Sequence, residues 1–162
     1  TEWRQERITV YGKPYLQPRL SAWHGDLGYS YSGIRLQPLP WTPTLQRLKQ
    51  RVERLTQARF NSVLLNYYRD HNDSMGMHSD DERELGKQPA IASLSLGEAR
   101  DFVLKHRWRK DLKPVKLPLD SGSLLLMRGD TQANWKHGMR KLSRPCGPRV
   151  NLTFRLIHSS EG

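Results

Sequence analysis

Two residues in the stretch Met75-Gly76-Met77-His78-Ser79-Asp80-Asp81-Glu82 could do chemistry together. In an extended chain, positions two apart point the same way, so the His78 imidazole and the Asp80 carboxylate can reach one ion. A second imidazole, His137, stands far downstream. Two histidines and a carboxylate on one side of a metal leave the opposite positions open. A non-haem Fe(II) oxygenase needs those positions, because co-substrate and oxygen must both reach the metal. His-x-Asp alone is a weak signal: six histidines and 16 acidic residues can produce it by chance, as a solvated turn.

The segment Arg149-Val150-Asn151-Leu152-Thr153-Phe154-Arg155 carries a sharper pattern. Period two gives it one face of Arg149, Asn151, Thr153 and Arg155, and another of Val150, Leu152 and Phe154. It is either a surface strand with a wet face or a barrel strand whose polar face lines a pocket. At about 3.3 Å per residue the two guanidiniums stand roughly 20 Å apart, too far to grip one carboxylate. They would serve the two ends of an anionic co-substrate and its surroundings, since the planar fork of arginine binds carboxylates bidentately. Asn66 and Tyr68 form a similar same-face pair ahead of His78. Their amide and phenol can donate hydrogen bonds to a carboxylate or carbonyl, or simply be a satisfied Asn and a packed ring.

Strands must position these groups. Ser62–Tyr68, Ala90–Leu96, Asp101–His106, Ser123–Met127 and Val150–Ile157 are the best candidates, broken by Gly, Pro and Asp clusters. Such spacing points to a sandwich or jelly-roll. One helix begins at Thr42-Pro43, with Leu45, Leu48, Val52 and Leu55 as its apolar stripe and no chemistry of its own. Nearer the start, Ile8-Thr9-Val10-Tyr11-Gly12-Lys13 reads as a strand entering a turn. Tyr11 is either a half-buried strand aromatic or a hairpin tip able to wedge into a base stack. Tyr29-Ser30-Tyr31-Ser32-Gly33 is a second aromatic strand, with Tyr29 and Tyr31 either core or a stacking wall.

The 162 residues suit one domain and contain no apolar run that could span a membrane. No charged-then-apolar leader opens the chain, and its single cysteine, Cys146, fits a reducing compartment. The expected setting is therefore not secreted: cytoplasmic beside the nucleoid in a bacterium, nuclear in a eukaryote. Twenty-seven basic residues against 16 acidic ones give +11. They recur at Arg100, Lys105, Arg107, Arg109, Lys110, Lys113 and Lys116, then at Lys136, Arg140, Lys141, Arg144 and Arg149. That balance favours a polyanionic partner, most simply nucleic acid.

Taken in order, Asn66-Tyr67-Tyr68, His78-Ser79-Asp80-Asp81-Glu82, Ile91-Ala92-Ser93-Leu94-Ser95-Leu96-Gly97, His137 and the Arg149–Arg155 segment resemble the AlkB family of Fe(II)- and 2-oxoglutarate-dependent dioxygenases. The resemblance covers nearly the whole chain. It implies a mainly β fold with flanking helices (α+β): a double-stranded β-helix, or jelly-roll, core over about 60–158 and nucleotide-recognition hairpins over about 1–40. It further implies iron held by His78, Asp80 and His137, and 2-oxoglutarate held by Asn66, Tyr68, Arg149, Asn151, Thr153 and Arg155, with O₂ as oxidant. Val10-Tyr11-Gly12-Lys13, Tyr29-Ser30-Tyr31-Ser32-Gly33 and Asp80-Asp81-Glu82-Arg83-Glu84-Leu85 look most like family members that act on double-stranded DNA. By that likeness Tyr11, Gly12 and Lys13 form a finger, and Tyr31 and the ring of His78 sandwich a flipped base. Tyr29 and Ser30 contact the substrate, while Asp81 and Glu82 sense the damaged base. The implied activity is oxidative demethylation of bases such as 1-methyladenine and 3-methylcytosine, by a monomer acting on alkylated DNA. Single-stranded DNA or RNA is the alternative substrate. An idle nucleic-acid-binding module and a zinc hydrolase with the same ligands are the competing classes.

Overall fold

The computed structural model describes residues 1–27, 29–31 and 34–159, with 29–31 and 34–36 described by backbone alone. The first strands in chain order are β1 (Arg7–Val10), β2 (Lys13–Leu16), β3 (Leu20–Gly25), β4 (Tyr29–Tyr31) and β5 (Ile34–Leu36). Helix α1 (Pro43–Thr56) is followed by β6 (Ser62–Tyr68), β7 (Met75–His78), β8 (Ile91–Gly97), β9 (Arg100–His106), β10 (Val115–Leu119) and β11 (Leu124–Met127). A short helix α2 (Thr131–Asn134) then leads into β12 (Trp135–Met139) and β13 (Arg149–Arg155).

Two antiparallel sheets form the body, one ordered β11-β8-β13-β6-β3 and the other β10-β9-β12-β7. Trp23, Leu64, Ile91 and Met127 from the larger sheet meet Phe102 and Leu119 from the smaller one in a shared core. The far face of the larger sheet is covered by α1: Leu45 and Val52 pack with Val63, Leu65, Leu152 and Phe154. This is the jelly-roll expected from the strand pattern.

That layering explains β13. Its apolar residues face the helix, so its polar residues face the interior between the sheets, the reverse of an ordinary surface strand. Pairing with β6 on one side and β8 on the other makes β13 central. Arg149, Asn151, Thr153 and Arg155 are all buried. Arg149 sits opposite Gly97, which has φ of +95°, and a Cβ there would stand 2.5 Å from the Pro148 carbonyl oxygen. A glycine is required at that crossing.

Thr42 caps α1 by accepting the Leu45 N–H at 3.2 Å, with Pro43 in the first turn. Leu55 departs from the expected stripe and is 69% exposed. The helix ends one residue later, and Gln57, in the left-handed region, turns the chain so that Phe60 packs with the cluster beneath α1. Strands β3, β10 and β12 carry no period-two signal clear enough to read in advance. At the N-terminal end, β1 and β2 form a separate hairpin whose turn residues Tyr11 and Gly12 have φ of 49° and 74°. Two successive left-handed residues match the twist of a two-residue hairpin turn.

Candidate active site

The site lies between the sheets, where β7 and β12 pair. His78 ends β7 and stands in register with His137 on β12, their rings 4.5 Å apart. The register slips by one residue between this pair and Met75↔Met139, a bulge of the kind that re-aims side chains beside active sites. Gly138 permits the close approach, because a Cβ there would lie 2.8 Å from the Met75 carbonyl oxygen. The ring of His137 also stacks on Phe102 at 5.2 Å, which fixes its plane.

Asp80 completes the group: ligand atoms of His78, Asp80 and His137 lie within 4.8 Å of one another. The residues present fit a metal. Asp80 is 1% exposed, yet its Oδ1 accepts no hydrogen bond, and His78 Nε2 stands 3.4 Å from it. Its other oxygen, Oδ2, accepts from Arg155 Nη2 at 3.0 Å. A buried carboxylate with one oxygen paired and one directed at two imidazoles is a ligand in waiting. Burial alone would push the Asp80 carboxyl up. The Arg155 charge and both histidines override that and hold it well below the usual carboxylate range. The carboxylate is therefore ionised wherever the protein is folded near neutrality.

Burial pushes His137 down to about 4, with His78 and Arg155 adding to the effect and Asp80 opposing it. A neutral imidazole is the form that binds metal. The unfolded chain takes up this proton near 6.5 and the folded metal-free chain only near 4. Between those values the unfolded state binds more protons, so stability should fall as pH drops through the window and be flat in this group above it. The expected slope is on the order of 1 kcal/mol per pH unit. Denaturant midpoints at pH 7, 6 and 5 check it; the same slope in His137→Gln would assign the effect elsewhere.

From the metal group a narrow cleft runs along β13, lined by Asn66, Tyr68, Ser93, Arg149, Asn151 and Thr153 among others. Arg149 is 1% exposed; its Nη2 donates to Ser95 Oγ at 2.8 Å and its Nη1 to the Leu119 carbonyl at 3.2 Å. Its Nε has no hydrogen-bond partner. Burial lowers its pKa, Tyr68 opposes this and Arg100 adds to it. An arginine nevertheless stays charged. Tyr68 is pushed up by burial, against the pull of Arg19, Arg149 and Arg100, so its phenol remains a donor. Asn151 donates to Ser93 Oγ at 2.6 Å and accepts from Thr153 Oγ1 at 2.7 Å, a relay that ties β13 to β8. One end of the cleft is thus a metal site and the other a buried cation with a phenol beside it. A small anion of two carboxylates fits that polarity.

Tyr11, Gly12, Lys13, Asp81 and Glu82 are not among the residues lining this cleft. Tyr11 is fully exposed at the hairpin tip, which rules out the half-buried strand aromatic; Gly12 shares the turn and Lys13 opens β2. Tyr29, Ser30 and Tyr31 form β4, but their side chains lie outside the described residues. Asp81 is at the rim, its Oδ2 3.5 Å from Arg107 Nη1, and half-buried Glu82 follows it.

A sequence profile described as the 2OG-Fe(II) oxygenase superfamily matches residues 1–155. The chain belongs to that superfamily. Fe(II), 2-oxoglutarate and O₂ are the metal and reactants of these 2OG-Fe(II) oxygenases, and the His78–Asp80–His137 group is the matching donor set. Among relatives, the chain is 46% identical over 96% of its length to the mouse protein "Alpha-ketoglutarate-dependent dioxygenase alkB homolog 3", covering 57% of that protein. It is 44% identical over 93% of its length to the human "DNA oxidative demethylase ALKBH2", covering 61% of it. The chain thus spans little more than half the length of these relatives. A solved structure described as "The structure of OsALKBH1" superposes with a TM-score of 0.64 at 18% identity, over 94% of this chain and 80% of that one, and so shares the fold.

Within this 2OG-Fe(II) oxygenase fold, three buried residues escape motif reading. Gln132, from α2, accepts the Asp80 N–H at 2.8 Å and so fixes the backbone of a metal-site residue. Arg19 donates from Nε to Asn66 Oδ1 at 3.2 Å, which leaves the NH₂ of that amide as the group offered to the cleft. Arg100 clamps the carbonyls of Asp70, Asp73 and Arg140. Arg100 and Arg149 therefore do not belong to the basic surface where their charge placed them. Only a test of burial could have separated them from their exposed neighbours.

Proposed function

We propose that this chain removes N-alkyl groups from DNA bases by oxidation, using iron held by His78, Asp80 and His137. The observation that carries this reading is the buried metal group opening onto a cleft whose far end presents Arg149 and Tyr68. Relatives described as a DNA oxidative demethylase and an alkB homologue support the substrate class. With Fe(II), 2-oxoglutarate and O₂ bound, the centre would supply hydroxylation of an N-methyl carbon coupled to oxidation of 2-oxoglutarate to succinate and CO₂, and the hemiaminal so formed would release formaldehyde.

The protein's own residues do the positioning. Arg155 holds Asp80 Oδ2 so that Oδ1 turns toward the histidines. Arg149 and Tyr68 receive one carboxylate of 2-oxoglutarate, with Asn66, Asn151 and Thr153 lining the path between. Carboxylates at Asp81 and Glu82 favour 1-methyladenine and 3-methylcytosine, which are cationic, over neutral bases. A lesion that pairs badly also lowers the cost of flipping. Tyr31 and the His78 ring would sandwich that base, with Tyr29 and Ser30 contacting it. The chain acts as a single domain and a monomer inside the cell, with residues 1–40 as its nucleotide-recognition region. No described helix is long and apolar enough to cross a membrane.

Release of formaldehyde from a 1-methyladenine oligonucleotide, in step with succinate, tests the reaction. Succinate without formaldehyde would discard the substrate. The hairpin tip gives a finer test of the finger Tyr11-Gly12-Lys13. A ring that fills the gap left in a duplex contributes nothing where no stack needs filling, so Tyr11→Ala should slow repair of duplexes about tenfold and of single strands far less. Equal losses on both would make Tyr11 merely structural. Single-stranded DNA or RNA is the second reading, favoured by the exposed ring of Trp108.

A further inference from the structure

One tryptophan, Trp108, has 65% of its surface exposed. Trp108 lies in the link between β9 and β10, and the Arg107 guanidinium carbon sits 4.8 Å from its ring centroid. Single exposed apolar side chains are ordinary, but this one is braced. Arg107 Nη1 donates to the carbonyls of Gln132 and Ala133, at 3.3 and 3.4 Å, and lies 3.5 Å from Asp81 Oδ2. His106 Nδ1 accepts the backbone N–H groups of Trp108 and Arg109 at 3.1 and 2.9 Å. The His106 ring in turn packs edge-on against Trp135 at 4.9 Å. Trp135 is the first residue of β12, and its carbonyl accepts from Ser79 Oγ at 2.6 Å, between His78 and Asp80. The ring is thus tied, through short contacts, to the strands that carry the metal group.

Its surroundings are cationic. Lys105, Lys110, Lys113, Lys116 and Lys136 are exposed on the neighbouring strands and turn, and Lys105 stands directly opposite Lys136. Asp111 is taken by Arg109 at 2.6 Å and Asp81 lies against Arg107. An aromatic face with an arginine behind it and lysines around it matches the chemistry that holds single-stranded nucleic acid: stacking on a base and attraction for phosphates. Inside a duplex both faces of each base are already covered, so such a platform gains little there. A single strand offers bare base faces. Because Arg107 already lies against one face of the ring, less freedom is lost when a base lands on the other.

We infer that Trp108, braced by Arg107, stacks an unpaired base adjoining the one that enters the cleft, and so gives this protein affinity for single-stranded substrate. This rests on the nucleic-acid reading above. Its role is distinct from that of the hairpin tip: Tyr11 serves the duplex and Trp108 the single strand.

Fluorescence anisotropy of a labelled 3-methylcytosine oligonucleotide, single-stranded and annealed to its complement, tests it with wild type, Trp108→Ala and Trp108→Phe. Trp108→Ala should weaken single-strand binding about tenfold and change duplex binding little. Trp108→Phe keeps an aromatic face and should restore most of the loss. Equal loss on both forms, no loss on either, or a Phe variant as weak as the Ala variant would overturn the platform. Wild-type protein that binds neither form would instead overturn the nucleic-acid reading itself, so the two failures are distinguishable.

Discussion

Asp80→Asn should reduce succinate formation by more than about a thousandfold, the range expected when a group the reaction depends on is removed. The change keeps the shape of the side chain but removes its charge. Metal affinity is lost with it, because the amide offers the two histidines no anionic partner. Asp80→Ala goes further. It leaves the Arg155 guanidinium, 3% exposed, without the carboxylate it now contacts at 3.0 Å. Removing one partner of a buried ion pair costs about 3–5 kcal/mol, so the alanine variant should also melt well below wild type. Titration with Mn(II) and thermal melting of the metal-free variants separate the two effects. Oligonucleotide affinity should survive in Asp80→Asn. Iron-dependent succinate at near wild-type rate would remove Asp80 from the metal group.

Arg149→Met should raise the KM for 2-oxoglutarate by about a hundredfold or more. That is the effect of deleting one partner of a buried, hydrogen-bonded charge pair, which costs roughly 2–5 kcal/mol. The opposite sign is expected for the fold. Arg149 is buried against Ser95 Oγ and the Leu119 carbonyl with no carboxylate among its hydrogen-bond partners. Methionine fills similar space without desolvating a charge, so metal-free Arg149→Met should melt no lower than wild type. Arg149→Lys returns the charge but not the fork and should recover only part of the affinity. An unchanged KM in Arg149→Met would place the co-substrate elsewhere.

What could be read in the residues and what could not divide along physical lines. The spacing of His78 and Asp80 and the alternation of Arg149 to Arg155 are local, and local period-two patterns survive folding intact. Strand β6 was legible end to end for the same reason. The direction of the β13 polar face was not, because it depends on α1 covering the opposite face of the sheet. The meeting of His137 with His78 depends on β12, a strand containing Gly138 whose pairing is fixed by a bulge across from it. Gln132 and Arg19 look like ordinary polar residues until the cleft is built around them. Part of the basic count is likewise interior: Arg19, Arg100, Arg149 and Arg155 are all buried and add nothing to a docking surface. Trp108 had no motif to mark it, since its significance lies in the exposure of the ring and the bracing beneath it.

The most direct measurement is mass spectrometry of a duplex oligonucleotide bearing one 1-methyladenine. It would be incubated with the protein, Fe(II), ascorbate and 2-oxoglutarate, with iron or 2-oxoglutarate omitted in parallel. The expected result is loss of one methyl group per lesion only in the complete mixture, with one succinate formed for each methyl lost. A methyl group retained in the complete mixture on both duplex and single strand, while succinate accumulates, would contradict base demethylation and leave an oxygenase of another substrate.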